Sequence, residues 1–388
     1  MTDTASVALP RILRVGGGCS MELAEVLESA GLARPLIITD PFLAAQPFLA
    51  RITARLAEAG IEAEVFSEVR PDPTTDSIDL GVRALRRGEF DCVVGIGGGS
   101  PMDTAKAVAL LGSRGGAMRD YKAPAVTDAP TLPVIAIPTT AGSGSECTRF
   151  TIITDSATNE KMLCAGLAFL PAIALIDYTL TMRMPPRLTA DTGVDALVHA
   201  VEAYVSRKAN PFTDALALTA MRTLFANLRV SYAEPANEQA RAQMMIAATQ
   251  AGMAFSNSSV ALVHGMSRPI GAHFHVAHGL SNAMLMPTIT AYSVDAAPDR
   301  YATCARTVGV ASADMTDSQA ARRLVTALHD LNADLEVPGP RRYGIPEDSW
   351  RESIPVMAKQ AKASGSPDNN PRVASIAEIE DLYRSLWK

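Results

Sequence analysis

Asp195 and His199 stand four residues apart in Thr192-Gly193-Val194-Asp195-Ala196-Leu197-Val198-His199-Ala200-Val201-Glu202, a stretch of helical period. Both side chains therefore project from one helix face, one turn apart. Such a pair is either a solvated Asp–His contact or half of a metal site. Glu202, three residues beyond His199, can accept a hydrogen bond from an imidazole N–H. His264 and His278 bracket a segment in which Pro269 and Gly271 interrupt the helical pattern. The two histidines are therefore expected on different elements that converge; alone, each could be a buried or capping histidine. One carboxylate with three imidazoles suits Fe²⁺ or Zn²⁺ and not Mg²⁺ or Ca²⁺. Four protein ligands leave room for a substrate oxygen, which a Lewis-acid site needs.

Two loops could hold phosphate. Gly97-Gly98-Gly99-Ser100-Pro101-Met102-Asp103-Thr104-Ala105-Lys106 follows a strand-like run. Glycines let a backbone approach an anion, Pro101 suits the first turn of a helix, and the helix N-terminus offers free N–H groups. The same residues could be a structural strand-to-helix turn. Pro138-Thr139-Thr140-Ala141-Gly142-Ser143-Gly144-Ser145-Glu146 follows another strand and is either a polar turn or a second phosphate loop. Two such loops on neighbouring strands favour a dinucleotide over either loop taken singly. Asp40 ends a third strand, where it could accept hydrogen bonds from an adenosine ribose or cap a turn before Pro41.

The elements that must position these residues change character along the chain. Strand-like runs at 36–39, 62–66, 92–96 and 132–138 alternate with helical patterns near 48–60, 77–87 and after the glycines, which implies a mostly parallel sheet flanked by helices. Beyond Met184-Pro185-Pro186 the chain is helical, near 189–206, 212–229, 237–254, 258–270, 316–331 and 376–387. The expected organisation is an α/β dinucleotide-binding domain over 1–185 and an α-helical, metal-binding domain over 186–388. Hydrophobic residues make up 48% of the chain and its net charge is −6. That balance supports a sizeable core and argues against a nucleic-acid or anionic-membrane binder. No run of 18 apolar residues appears, and Met1 to Pro10 does not read as a signal peptide. The five cysteines form no C-x-x-C pair, which fits a reducing, cytoplasmic setting.

In order and spacing, five motifs together resemble the iron-dependent (group III) alcohol dehydrogenases, a family that includes the lactaldehyde reductase and 1,3-propanediol dehydrogenase types. These are Asp40, the 97–106 loop, the 138–146 loop, the 192–204 helix and the 264–287 segment, and the likeness extends to Asn370-Pro371-Arg372. The resemblance implies a Rossmann-like N-terminal domain and an all-α C-terminal domain of the dehydroquinate synthase-like kind. It implies hydride transfer between NAD(H) and a small alcohol or aldehyde on a divalent metal, Fe²⁺ or Zn²⁺, in a homodimer or larger homo-oligomer. The implied ligands are Asp195, His199, His264 and His278. The implied cofactor residues are Asp40, Gly98, Gly99, Ser100, Asp103, Thr139, Thr140, Ser143 and Lys161, with Asp40 favouring NAD over NADP. One position departs from the family: Arg268 stands where many members carry a further histidine suspected in proton relay. Arg268 is then either an anchor for an anionic substrate group or part of a structural ion pair, and His273 is either a replacement relay or an exposed histidine. Two rivals are a dehydroquinate-synthase-like lyase and a non-catalytic nucleotide-binding protein. The first needs several basic groups around a substrate phosphate, and the His264–His278 segment supplies only Arg268. The second would have no need of four intact ligands.

Overall fold

The computed structural model describes residues 4–387 and divides into two compact units, Val7–Met182 and one beginning at Arg183. The first unit contains strands β1 (Ile12–Val15), β2 (Pro35–Ile38), β3 (Glu64–Phe66), β4 (Cys92–Gly97), β5 (Val134–Pro138), β6 (Phe150–Thr154), β7 (Lys161–Ala165) and β8 (Ile173–Ile176). Its helices are α1 (Leu23–Ser29), α2 (Pro41–Ala44), α3 (Pro47–Glu58), α4 (Thr75–Leu85) and α5 (Gly99–Arg114). Six strands form one sheet in the order β1-β8-β5-β4-β2-β3, every pair parallel. β6 and β7 make a separate antiparallel ribbon.

Side-chain alternation explains the layers. Leu36, Ile38 and Val93 enter a core shared with α4 and α5. Ile37, Cys92, Val94 and Ile96 enter the opposite core, shared with α1 and α3. A strand buried on both faces reads as a continuous apolar run, which is how β2, β4 and β5 are legible in the sequence. β1 is only partly buried, with Arg14 and Val15 exposed, so it lacks the continuous apolar run that marks the inner strands. Because β4 and β5 are neighbours, the two candidate phosphate loops leave the sheet side by side, and Thr139 N–H donates to Gly97 O at 2.9 Å.

The second unit is helical: α6 (Pro186–Val205), α7 (Pro211–Ala233), α8 (Glu238–Ser256), α9 (Leu262–Phe274), α10 (His278–Ser293), α11 (Pro298–Thr307), α12 (Asp317–Asp334), α13 (Pro340–Tyr343), α14 (Glu347–Ala363) and α15 (Ile376–Ser385). α6 is buried on nearly every side from Thr189 onward, with α7, α8 and α10 packed around it. Its small residues permit this: a Cβ on Gly193 would lie 2.3 Å from Leu228 of α7. α9 corrects one expectation. The helix runs through Pro269 and Gly271 and ends only at His275, which takes a left-handed conformation with φ 54°. An interior proline costs one backbone hydrogen bond, and the packing of α9 against α10 and α14 offsets it. Among the described residues no helix is long and apolar enough to cross a membrane.

Candidate metal centre

Three helices supply four converging donors. α6 presents Asp195 and His199, α9 presents His264 near its start, and α10 begins with His278. Their candidate ligand atoms all lie within 4.8 Å of one another. Asp195 Oδ1 is 3.6 Å from His264 Nε2, 3.8 Å from His278 Nε2 and 4.0 Å from His199 Nε2. Donors about 2.1 Å from a common ion lie roughly 3.4 Å apart in a tetrahedron. The three distances from Asp195 exceed that by a few tenths of an ångström, within a set that spans up to 4.8 Å, and its chemistry of one carboxylate and three imidazoles fits a borderline divalent ion. The side chains of Asp195, His199 and His264 are buried, whereas that of His278 is 38% exposed, so the donor set is open on the His278 side.

Local packing explains the convergence. A Cβ on Gly279 would sit 2.4 Å from the Asp191 carbonyl oxygen. Only glycine after His278 therefore lets the start of α10 approach α6. His199 lies between two rings, stacked on Phe255 of α8 at 4.2 Å and on His264 at 4.5 Å. Glu202 reaches from α6 to the beginning of α9, where it accepts from Ala261 N–H at 2.8 Å and Val263 N–H at 2.6 Å. It also meets His264 Nδ1 at 2.7 Å. An Nδ1–H donated to Glu202 leaves Nε2 with its lone pair toward the other donors. Burial disfavours charge on His264, but the adjacent Asp195 and Glu202 carboxylates outweigh that and raise its pKa. Burial likewise opposes charge on Asp195, yet the three surrounding imidazoles keep the carboxyl well below its ordinary pKa.

The structure also brings the two loops of the first unit together. Gly98 is the N-cap of α5 with no side-chain cap, so the first N–H groups of the helix are available to an anion. A Cβ on Gly98 would be 3.5 Å from Thr140, and one on Gly99 would be 3.5 Å from Ser143, both ordinary contacts. The chain itself does not require glycine there; a closely approaching phosphate would. Gly98, Gly99, Ser100, Thr140 and Ser143 are all half-buried, with Thr139 buried behind them.

Other residues named from the sequence have different roles. Asp103 faces inward, accepting from Ser145 Oγ at 2.7 Å and Ile152 N–H at 3.0 Å, so its carboxylate ties α5 to the second loop and β6. Its neighbour Lys106 was not singled out by the sequence reading. It is fully buried and donates to Ser145 Oγ, the Thr148 and Phe150 carbonyls and Thr148 Oγ1. Burial pushes its pKa down to about 8 against the pull of Asp103. Lys161 is ion-paired with Asp72 at 2.8 Å. Asp40 caps α2, its Oδ1 accepting from Leu43 N–H at 2.9 Å. His273 lies nine residues beyond His264 on α9, which puts it on the opposite side of the helix. It is exposed and bonded to Gln360 at 2.9 Å. That geometry runs against the expectation of a proton relay at the donor set. Asn282, also not singled out from sequence, meets three of the four donor groups; its only sequence signal is its place one turn after His278.

Comparison with known proteins agrees with the geometry. The profile described as "Iron-containing alcohol dehydrogenase" matches residues 10–178, and that of the Fe-containing alcohol dehydrogenase family's C-terminal part matches 189–387. The chain belongs to the iron-containing alcohol dehydrogenase family. Among the family's relatives, the NAD-dependent methanol dehydrogenase of Bacillus methanolicus is 35% identical over 378 residues, covering 97% of this chain and 98% of the relative. A crystal structure of 1,3-propanediol oxidoreductase superposes with a TM-score of 0.95 at 32% identity, covering 99% of this chain and all of the other. Sulfoacetaldehyde reductase from Bifidobacterium kashiwanohense, solved with NAD⁺, gives a TM-score of 0.87 at 28% identity over 99% of each chain. The chain is thus a metal-dependent alcohol or aldehyde oxidoreductase, and neither the lyase nor the non-catalytic binder is favoured.

Proposed function

We propose that the chain interconverts small alcohols and aldehydes bearing an anionic group, using NAD rather than NADP and Fe²⁺ (or Zn²⁺) held by Asp195, His199, His264 and His278. The observation that carries the substrate class is Arg268, one turn beyond His264 on α9. Its guanidinium donates to Ser366 Oγ at 3.0 Å, while its Nε is buried and has no partner. Burial lowers its pKa, with Glu202 opposing the shift. Glu202 is already engaged by His264 and two backbone N–H groups, and no carboxylate forms an ion pair with Arg268 among the described residues. A buried guanidinium is stabilised by a bidentate acid, and its planar fork fits a carboxylate, sulfonate or phosphonate. The family's sulfoacetaldehyde reductase acts, by its name, on an aldehyde of this charge class.

When bound, a divalent ion supplies Lewis-acid polarisation of the alcohol oxygen and nicotinamide the hydride acceptor or donor. Asp195 brings negative charge to the donor set, Glu202 keeps His264 in the ligating tautomer, and Phe255 and His264 shield both faces of His199. The partly exposed His278 side leaves a path for the substrate. On the first unit, the α5 N-terminus with Gly98, Gly99 and Ser100 is suited to the cofactor's pyrophosphate, and Thr139, Thr140 and Ser143 supply hydroxyls beside it. Asp40 Oδ2 is left to accept from a ribose hydroxyl, where a 2′-phosphate would be repelled; Lys161 is read as approaching the cofactor. The five cysteines are all buried and none forms a disulfide, which suits a reducing cytoplasm. The homodimer or larger assembly rests on the family likeness, and sedimentation analysis checks it.

Kinetics of Arg268→Gln test the substrate class. A charge-assisted hydrogen bond is worth about 1.5–3 kcal/mol, or roughly a 10–150-fold change. kcat/KM for a short anionic aldehyde is expected to fall by that factor, and for a neutral aldehyde of the same length by less than about threefold. Equal losses on both would refute the anionic reading and leave the dehydrogenase intact.

A further inference from the structure

Asn282 is completely buried on α10, one turn after His278. Its Nδ2 lies 2.6 Å from Asp195 Oδ1, 3.1 Å from His264 Nε2 and 3.2 Å from His278 Nε2. An amide nitrogen carries two hydrogens, so three acceptors converge on it. Its Oδ1, meanwhile, is buried without a hydrogen-bond partner. Buried side-chain acceptors are rarely left this way, and packing alone gives no reason for a polar residue here. The site does give one. Asp195 Oδ1 and the lone pairs of the imidazoles point into a common space, where without a positive group they repel one another. The amide N–H₂ brings the positive end of a dipole to that space.

We propose that Asn282 is a positioning residue of the metal centre. Its amide nitrogen faces the Asp195, His264 and His278 donors and holds them together. With an ion on the two imidazole lone pairs, the amide would keep its hydrogen bond to Asp195 Oδ1, which has a further lone pair. Asn282 thereby keeps that oxygen aimed at the ion, as hydrogen bonds to ligating carboxylates do. The proposal rests on the metal-site reading.

The test is the affinity of metal-stripped protein for Zn²⁺, measured by competition with a chromophoric chelator, together with the melting temperature of the stripped and loaded forms. Asn282→Leu keeps the branched shape at a larger volume and removes the donor; Asn282→Ala is the second variant should leucine not pack. Zn²⁺ affinity is expected to fall roughly 10–100-fold in the folded variant, so that Zn²⁺ raises its melting temperature less than it raises that of the wild type. A purely structural asparagine would lower the melting temperatures of both forms equally and leave the affinity unmoved, and that result overturns the proposal. If wild-type protein itself bound no Zn²⁺, the metal-site reading would fail instead, so the two failures are distinguishable.

Discussion

Stripping the divalent ion with a chelator is expected to lower kcat/KM by three orders of magnitude or more, and adding back Fe²⁺ or Zn²⁺ to restore it. Lewis-acid polarisation supplies several kcal/mol of transition-state stabilisation. At about 1.36 kcal/mol per tenfold change, losing roughly 4 kcal/mol gives a factor on the order of 10³. His264→Ala should reproduce the loss without chelator and resist rescue at the same ion concentration, because one of only four donors is gone. Glu202→Gln should be milder. It removes the negative charge beside His264 and one of two equivalent acceptor oxygens, while the ligand itself stays, so the expected weakening of ion affinity is about 10–100-fold. Metal analysis and steady-state assays on the same preparations check the series. A chelated, metal-free enzyme that turned over normally would overturn the metal's role.

The second large effect concerns the loop after β4. Gly98→Ala and Gly99→Ala should each weaken NAD binding roughly 10–150-fold, the equivalent of one lost charge-assisted hydrogen bond of about 1.5–3 kcal/mol. Thermal stability should hold, because a methyl group at either position meets the protein only at 3.5 Å. Gly97→Ala is the contrast. Gly97 has φ 152°, and its Cβ would lie 2.4 Å from Pro101 Cγ, so this variant should lose stability whether or not cofactor is present. Calorimetric NAD titration beside thermal melts separates the two outcomes. Normal NAD affinity in Gly98→Ala and Gly99→Ala would remove these glycines from the cofactor site.

How far the site is legible in the sequence depends on the range of each interaction. Asp195 and His199 are visible because helical period alone puts residues four apart on one face. The loop at 97–99 is visible because a glycine run lies between an apolar strand and a helix start, and a second such loop on a neighbouring strand favours a dinucleotide over a plain turn. The fate of Asp103 is not visible. Its position near the start of α5 suggests an outward role, but Ser145 and Ile152, more than forty residues away, turn it inward. His273 is close to His264 in sequence, and its helical phase becomes clear only once α9 is known to continue through Pro269. Lys106 reads as an ordinary helix lysine until β6 and the 138–148 loop close over it.

The sequence by itself determined the α/β-then-helical order of the chain, the donor types and the two loops, since each follows from local period and residue chemistry. Tertiary structure alone decided that four donors from three helices meet within 4.8 Å. It did so through contacts that no local pattern encodes: the approach of α10 to α6 permitted by Gly279, the reach of Glu202 to α9, and the burial of Asn282 beside Asp195. A metal site of this kind is made of donors on separate elements, and the free energy that brings them together belongs to the packing of those elements.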